Sequence, residues 1–268
     1  MLLPRLREAY PDAEIIIVND GSTDATAEVC ERAGVRVITH QYSMGNGAAI
    51  KTGARNAQGD ILVTMDADGQ HGVDDIAALL EKLEDGCDMA VGARSAASQA
   101  GVGRLVANGF YNWFASWMTG QQVLDLTSGF RAVYRRRFNE FLHLMPNGFS
   151  YPTTVTMAFF RAGYGVQYVP IVAAKRIGKS HIRLLHDGVR FLLIIFKIGT
   201  LYSPLKIFLP VALAHFVLGI SYYLYTFIEF GRFTNMSALL LTNAILIFLI
   251  GLVSEQITTL IYSRQQSA

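Results

Sequence analysis

Two aspartates separated by a single residue, Asp66 and Asp68, are the most chemically suggestive residues of this 268-residue chain. They follow a short apolar run, residues 61–65, which predicts a buried strand. Carboxylates at the end of such a strand share one crevice, and their hard oxygens suit Mg²⁺ or Mn²⁺ carrying a diphosphate. The spacing therefore predicts a metal and diphosphate site, with an ordinary aspartate-rich turn as the alternative.

The elements that must position this pair alternate along the first part of the chain. The pattern predicts strands at residues 14–19, 35–39, 61–65, 89–92 and 166–171, and helices at residues 25–33, 47–57, 73–83 and 104–119. The first run is continuous and β-branched, which is typical of a strand buried on both faces of a parallel sheet. Such alternation predicts an α/β fold that binds ligands at the carboxyl ends of its strands.

The last third of the chain has a different composition. Residues 207–230 and 237–262 are apolar and long enough to cross about 30 Å of hydrocarbon. Before them, residues 182–200 mix basic and apolar side chains as an interfacial helix does. The basic residues lie before the first span and after the second rather than in the loop between them. Both ends of the pair of spans are therefore expected in the cytosol. We therefore divide the chain at residues 1–181, 182–200 and 201–268, as an integral membrane protein with a cytosolic catalytic domain.

Composition excludes several classes of function. The formal net charge is only +2, too small for a protein that binds nucleic acid. The two cysteines, Cys30 and Cys87, have no C-x-x-C spacing, so neither a disulfide framework nor a zinc site is predicted. The sequence Gly45-Asn46-Gly47 does not match G-x-G-x-x-G, so a dinucleotide-binding dehydrogenase is not supported.

Five motifs in order resemble those of one enzyme family. V-N-D-G-S-T-D at residues 18–24 and D-A-D-G-Q at residues 66–70 resemble the nucleotide-binding half of family 2 glycosyltransferases with the GT-A fold. G-A-R at 92–94, D-L-T-S-G-F-R at 125–131 and R-I-G-K-S at 176–180 resemble the motifs that follow. The resemblance implies an α/β, Rossmann-like GT-A domain that binds a nucleotide-sugar, joined to an amphipathic interfacial helix and two transmembrane helices.

The tail of the chain narrows this resemblance. A catalytic domain followed by a basic helix and two spans is similar to the polyprenyl-phosphate hexosyltransferases. The Q-x-x-R-W motif of processive polysaccharide synthases does not occur. The resemblance implies transfer from a UDP- or GDP-hexose to a polyprenyl phosphate at the cytosolic face, in a bacterial inner membrane, with self-association left open.

The resemblance also implies roles for single residues of the first two motifs. Asp20 would bind the nucleotide base, although helix capping is a second role open to it. Asp66 would lie near the ribose or diphosphate and the metal, Asp68 would be the catalytic metal ligand, and Gln70 would lie beside the sugar or the acceptor phosphate. His71 would either contact substrate or be a solvent-exposed turn residue, and the second reading is the preferred one.

The later motifs imply the remaining site residues. Arg94 and Arg131 would bind donor or acceptor phosphate, with a surface ion pair as the alternative for either. Asp125 would lie near the anomeric carbon or hold Arg131, and Ser128 would bind substrate. A loop would close over the diphosphate, or attract anionic headgroups, through Arg176, Lys179 and Ser180.

Two alternatives and one departure remain. The acceptor could be a hydroxyl of another lipid or a glycan, which would need a general base such as Asp125. The chain could also be a catalytically silent membrane scaffold. Relatives begin with a strand ending in a P-x-Y-N-E-like motif, and residues 1–10 instead suggest the helix that follows it. We therefore expect an N-terminally truncated domain that binds nucleotide poorly.

Overall fold

The computed structural model describes residues 2–94, 102–148, 151–172, 196–197 and 199–263. The chain divides into two compact units, Met1–Gly188 and Val189–Ala268. The predicted loop at residues 176–180 lies outside the described residues, and so does most of the predicted interfacial helix at residues 182–200. The domain boundaries drawn through these segments therefore stay predictions.

The first unit has the predicted alternation of strands and helices. Its described strands are β1 Ile16–Asn19, β2 Arg36–Thr39, β3 Ile61–Thr64, β4 Met89–Arg94, β5 Arg131–Tyr134 and β6 Val166–Ile171. Its described helices are α1 Leu2–Ala9, α2 Thr26–Arg32, α3 Asn46–Asn56, α4 Asp75–Glu84, α5 Val102–Thr119, α6 Arg135–Glu140 and α7 Tyr151–Arg161.

The strands form two sheets. β1 and β2 pair in parallel, and a second sheet has the order β3-β5-β4-β6. β5 was not predicted, and it runs antiparallel to both β3 and β4. The prediction that the first strand is buried on both faces was wrong, because residues 16–18 are only half-buried in a strand paired on one side among the described residues.

A hydrophobic core fixes the second sheet beneath α4. Ile76, Leu79 and Leu83 recur on one face of α4 and are buried against Ala90 of β4 and Ala132 of β5. Each such leucine contributes about 1.5–3 kcal/mol by leaving water. α1 packs on the same core through partly buried apolar side chains. The sheet edge that carries the polar residues therefore rests on a rigid base.

The second unit is a helical hairpin formed by α8, Pro204–Phe230, and α9, Asn235–Ser263. Both helices are long and apolar enough to cross a membrane. α8 ends at Gly231, whose φ of 64° is the left-handed conformation that closes many helices. At the other end, the carboxylate of Glu255 accepts hydrogen bonds from Ser203 Oγ at 3.0 Å and from the backbone N–H of Leu205 at 3.2 Å.

Mostly small residues, at seven-residue spacing within 212–226 and 237–258, form the face on which the two helices meet. The buried set of the hairpin is Pro204, Ala212, Gly219, Thr226, Ser237, Ala244, Gly251 and Thr258. A Cβ built on Gly251 would lie 2.6 Å from Cβ of Phe208. Small side chains let two apolar helices approach closely, which is the packing expected between helices in lipid.

Candidate active site

The polar residues of the site meet at one edge of the second sheet. Asp66 follows the carboxyl end of β3, and Arg94 is the last residue of β4. β5 is antiparallel to both, with Thr64 of β3 and Val91 of β4 in register with Arg131. The segment that precedes β5 therefore lies at the same edge as the carboxyl ends of β3 and β4.

Asp66 lies in the middle of this cluster and is half-buried. The side chain of Asn46, the first residue of α3, forms a hydrogen bond with it. The backbone at Gly129 also approaches, because a Cβ on that glycine would lie 3.4 Å from Asp66 Oδ2. Burial and then the negative charge of Asp68 raise the pKa of Asp66. A pair of carboxylates that repel each other in this way is stabilised by a cation.

The carboxylate pair fits a divalent metal that is completed by substrate. Asp68 is exposed, and its Oδ1 accepts a hydrogen bond of 3.1 Å from the backbone N–H of Gln70. Among the described residues, no group of three or more His, Cys, Asp or Glu side chains could hold a metal ion. Mg²⁺ is commonly bound by one or two carboxylates together with phosphate oxygens and water, so two carboxylates are a sufficient protein share.

Arg94 is held beside this pair by Asp125. Its Nε donates to Asp125 Oδ2 at 2.8 Å, and its Nη2 donates to Asp125 Oδ1 at 3.0 Å and to Thr127 Oγ1 at 2.7 Å. Burial alone would raise the pKa of Asp125, but hydrogen bonds and the charge of Arg94 hold it below its usual range. The Arg94 side chain is still 26% exposed. Its Nη1 has no hydrogen bond to a described residue.

Arg131 and Ser128 do not lie where the motif implied. Arg131 is fully buried, and its guanidinium donates to the carbonyl of Ser128 at 2.8 Å and to Thr156 Oγ1 at 2.8 Å. Ser128 is also buried, and its Oγ accepts from the backbone N–H of Phe130. A contact of Arg131 with phosphate is incompatible with this position, and Asp125 holds Arg94 rather than Arg131. Arg131 instead fixes the loop before β5.

Asp20 anchors a loop rather than capping a helix. Its carboxylate accepts hydrogen bonds from Ser43 Oγ at 2.9 Å and from the backbone N–H groups of Met44 and Gly45, each at 2.8 Å. His40 Nδ1 lies 2.7 Å from Asp20 Oδ1. Burial opposes ionisation, yet these hydrogen bonds lower the pKa of Asp20 to about 2. The predicted contact of Asp20 with a nucleotide base stays a prediction.

Three residues around Asp66 were missed or misjudged from the sequence. Asn46 follows the loop that Asp20 anchors, and its only signal was its place between Gly45 and Gly47. Tyr151 is buried, with its hydroxyl donating to the carbonyl of Gly129 at 3.2 Å. The preferred reading of His71 as a solvent-exposed turn residue was wrong: it is 8% exposed and stacks on Phe130 at 4.9 Å between ring centroids.

Comparison with known proteins decides the family. The family described as glycosyl transferase family 2 matches residues 2–142, which is more than half of the chain. This chain belongs to glycosyltransferase family 2. The family described as the GtrB C-terminal hairpin matches residues 203–260, the segment of α8 and α9. The first unit is therefore the catalytic unit of a glycosyltransferase, and the second matches a known hairpin.

Individual relatives agree with this assignment. The polyprenol monophosphomannose synthase of Mycolicibacterium smegmatis is 29% identical over 192 residues, 66% of this chain and 72% of that protein. The undecaprenyl-phosphate mannosyltransferase of Micrococcus luteus is 29% identical over 196 residues, 67% of this chain and 80% of that protein.

A solved structure supports the fold of the catalytic unit. Glucosyl-3-phosphoglycerate synthase of Mycobacterium tuberculosis, determined with Mn²⁺, UDP and glucosyl-3-phosphoglycerate, superposes with a TM-score of 0.57 at 20% identity. The superposition covers 73% of this chain and 72% of that one. The predicted GT-A fold of this family 2 glycosyltransferase is thereby confirmed.

Proposed function

We propose that this glycosyltransferase moves a hexose from a UDP- or GDP-sugar to a polyprenyl phosphate, with Mg²⁺ or Mn²⁺, at the cytosolic face of a membrane. Two relatives are named for polyprenyl-phosphate substrates. The observation that carries the proposal within the molecule is the Arg94–Asp125 pair beside Asp66. It presents a fixed positive charge next to a carboxylate pair, as expected where two phosphate-bearing substrates meet.

Arg94 is suited to hold the acceptor phosphate. Two of its nitrogens are fixed by Asp125, so little side-chain freedom is lost when a ligand binds. The third nitrogen, Nη1, has no hydrogen bond to a described residue, and the side chain is partly exposed. Arg94 would therefore orient the phosphate in line with the anomeric carbon of the donor sugar.

The state of Asp125 favours a phosphate acceptor over a hydroxyl. A hydroxyl nucleophile must lose a proton to a positioned base, whereas a lipid phosphate is already ionised at neutral pH. Asp125 has a lowered pKa and both its oxygens engaged by Arg94, which makes it a poor base. In the proposed step, a phosphate oxygen bonds to the anomeric carbon while the bond from that carbon to the donor diphosphate breaks. The electron pair leaves with the diphosphate, no proton moves, and the anomeric centre inverts.

Asp66 and Asp68 would hold the metal. When bound, the ion would neutralise charge on the departing diphosphate. Asn46 supports this role because its side chain binds and orients Asp66. Gln70 lies two residues beyond Asp68 on the same turn and stays assigned to the sugar or the acceptor phosphate.

The chain itself offers a way to keep the enzyme near its lipid substrate. α8 and α9 are long and apolar enough to form two spans. Basic residues occur before the first span and after the second, and the loop between them has only Arg232. We propose that both ends, and with them the catalytic unit, lie on the cytosolic side.

The test is transfer of radiolabelled sugar from a panel of UDP- and GDP-sugars to undecaprenyl phosphate, using the full chain in detergent with and without Mg²⁺ or Mn²⁺. We expect a lipid-linked product that needs metal and is lost in Asp68→Asn. Asp85→Asn, which changes an exposed carboxylate on the same unit, is the matched control and keeps activity. Absence of product with every donor, from a folded protein, would favour the silent scaffold.

A further inference from the structure

α5 carries an apolar stripe that the catalytic unit leaves exposed. Val106, Phe110, Trp113 and Trp117 are 66%, 48%, 60% and 47% exposed. Their spacing of four, three and four residues places them on one face of the helix. We call these four residues the α5 stripe. A different face of α5 packs into the core of the unit, and its buried residues are Tyr111, Phe114, Ala115 and Met118.

The same helix holds the loop that positions Arg94. Asn112 Nδ2 donates to the carbonyl of Leu124 at 2.6 Å, and Asn112 Oδ1 accepts from the backbone N–H of Leu126 at 3.0 Å. Asp125 lies between Leu124 and Leu126 in the sequence and accepts two side-chain hydrogen bonds from Arg94. Ser116 Oγ on the same helix also accepts from the backbone N–H of Val123 at 2.9 Å. Whatever the α5 stripe contacts is therefore connected to the site through side chains of one helix.

The chemistry of the α5 stripe favours a lipid surface as its occupant. Tryptophan is enriched at membrane interfaces, where an apolar ring and a polar N–H both find suitable surroundings. No Asp or Glu occurs from residue 102 to residue 124, so α5 itself places no carboxylate against anionic headgroups. The chain also contains two helices apolar enough to span a bilayer, so lipid lies within reach of the protein.

We propose that the α5 stripe inserts into the headgroup region of the bilayer as a membrane contact of the catalytic unit itself. The buried ring area of two tryptophans and a phenylalanine supplies the attraction. The contact would bring Arg94 to the depth at which a lipid phosphate lies. This functional consequence rests on the proposed acceptor, whereas the contact itself does not.

The chain supplies its own reporter for this contact. Trp113 and Trp117 are the only two tryptophans in the sequence, so tryptophan fluorescence, excited selectively over that of tyrosine, comes from the α5 stripe alone. The full chain would be reconstituted in phosphatidylcholine and phosphatidylglycerol vesicles brominated either near the acyl carbonyl or near the terminal methyl. We expect strong loss of emission with shallow bromines, a smaller loss with deep bromines, and little quenching by aqueous iodide.

Two outcomes would overturn the inference. Quenching of the tryptophan emission by iodide but not by bromines would show that the α5 stripe lies in water. Quenching by neither would show that the α5 stripe is covered by protein, such as a second copy or another segment of this chain. Val106→Glu combined with Phe110→Glu should abolish the shallow quenching, whereas Val29→Glu, at a 54% exposed position on α2, should retain it.

Transfer activity, measured on the same vesicles, separates this inference from the proposed function. Tryptophans shielded by lipid in a protein that transfers no sugar to undecaprenyl phosphate would uphold the membrane contact and reject the acceptor. Normal transfer by a protein whose tryptophans are open to iodide would uphold the acceptor and reject the contact.

Discussion

Arg94 donates two side-chain hydrogen bonds to Asp125, although Arg94 also interacts with the charge of Asp66 and Asp125 with that of Arg131. The pairing leaves Asp125 almost no exposed surface and leaves Arg94 partly exposed. A bidentate pair fixes both the position and the plane of the guanidinium, which a single ammonium cannot do. We therefore propose that Arg94 contacts substrate and that Asp125 acts through it.

Arg94→Lys should reduce kcat/KM for sugar transfer on the order of 100-fold, because a lysine cannot keep the paired geometry that orients phosphate. Arg137→Lys is the matched control, since Arg137 also lies near carboxylates, those of Asp88 and Glu140, on the same unit. Steady-state kinetics with varied acceptor would measure both. An Arg94→Lys enzyme as active as the control would remove Arg94 from the site.

Asp20 makes stability depend on pH. Its pKa is lowered to about 2, so its stabilising contribution is present above the ordinary aspartate pKa near 4 and is lost as pH falls towards 2. For this partly exposed carboxylate we expect Asp20→Asn to lower the free energy of unfolding by about 1–2 kcal/mol at neutral pH.

Denaturant unfolding of the detergent-solubilised chain at several pH values would measure this effect. The difference between wild type and Asp20→Asn should shrink below pH 4 or so. The matched substitution Asp12→Asn, at an exposed position, should show no such trend. A difference that stayed constant down to the lowest pH would contradict the role assigned to the Asp20 carboxylate.

At the scale of elements, the first turn of α3 depends on the absence of a side chain at Gly47. A Cβ there would lie 2.0 Å from the carbonyl oxygen of Pro146. The backbone N–H of Ala48 donates to the carbonyl of Asn147 at 2.8 Å, so the two segments cannot separate without losing this bond. This docking places Asn46, the residue before Gly47, against Asp66.

Gly47→Ala should destabilise the protein by about 1–3 kcal/mol through overpacking. Gly53→Ala is a control on the same helix, where the nearest atom to a new Cβ is Val18 Cγ2 at 3.6 Å. Because alanine favours helix over glycine, this second change should stabilise by up to about 1 kcal/mol. Unfolding midpoints would measure both, and shifts in the same direction would contradict the close approach.

The sequence predicts most of the helices and strands of the catalytic unit but not β5. Periodicity and turn residues predicted α2, α3, α4 and β6, since each contributes a regular apolar face or a continuous apolar run. β5 could not be predicted, because its four residues follow a polar motif and are too few to show a hydrophobic period. Without β5 the position of Arg131 in the core could not be seen, so its buried guanidinium was assigned to substrate.

The candidate site was predictable to the extent that it follows strands. Asp66 and Arg94 lie at strand ends, and the carboxyl edge of a sheet is where such residues collect. Asn46 and Tyr151 come from helices that approach from distant parts of the chain. No local pattern marks them, because their role arises only when the chain has folded. The same holds for His71, whose ring is buried by Phe130, 59 positions later in the sequence.

At the scale of the molecule, α8 and α9 differ from the catalytic unit in what they bury. Their large apolar side chains face outward, and the meeting face is made of small residues. A pair of helices in water would bury the large side chains instead. The arrangement is the one expected of a hairpin surrounded by lipid. The same segment matches the GtrB C-terminal hairpin.

Gly251→Leu should separate the two helices, since even a Cβ at this position would lie 2.6 Å from Phe208 Cβ. We expect the free energy of unfolding in detergent to fall by about 1–3 kcal/mol. Ile250→Leu is the adjacent control at a position that faces outward, and it should have little effect. Equal stability of the two variants would contradict the close packing of the hairpin.

The central claim is that the nucleophile is a phosphate that needs no general base. The most direct test offers the full chain undecaprenyl phosphate, undecaprenol and diacylglycerol in parallel, with the same labelled donor and metal. We predict product from undecaprenyl phosphate alone, because the site holds a fixed guanidinium for phosphate and an Asp125 that is engaged by it. Product from undecaprenol or diacylglycerol at a comparable rate would contradict this account and would return Asp125 to the role of base.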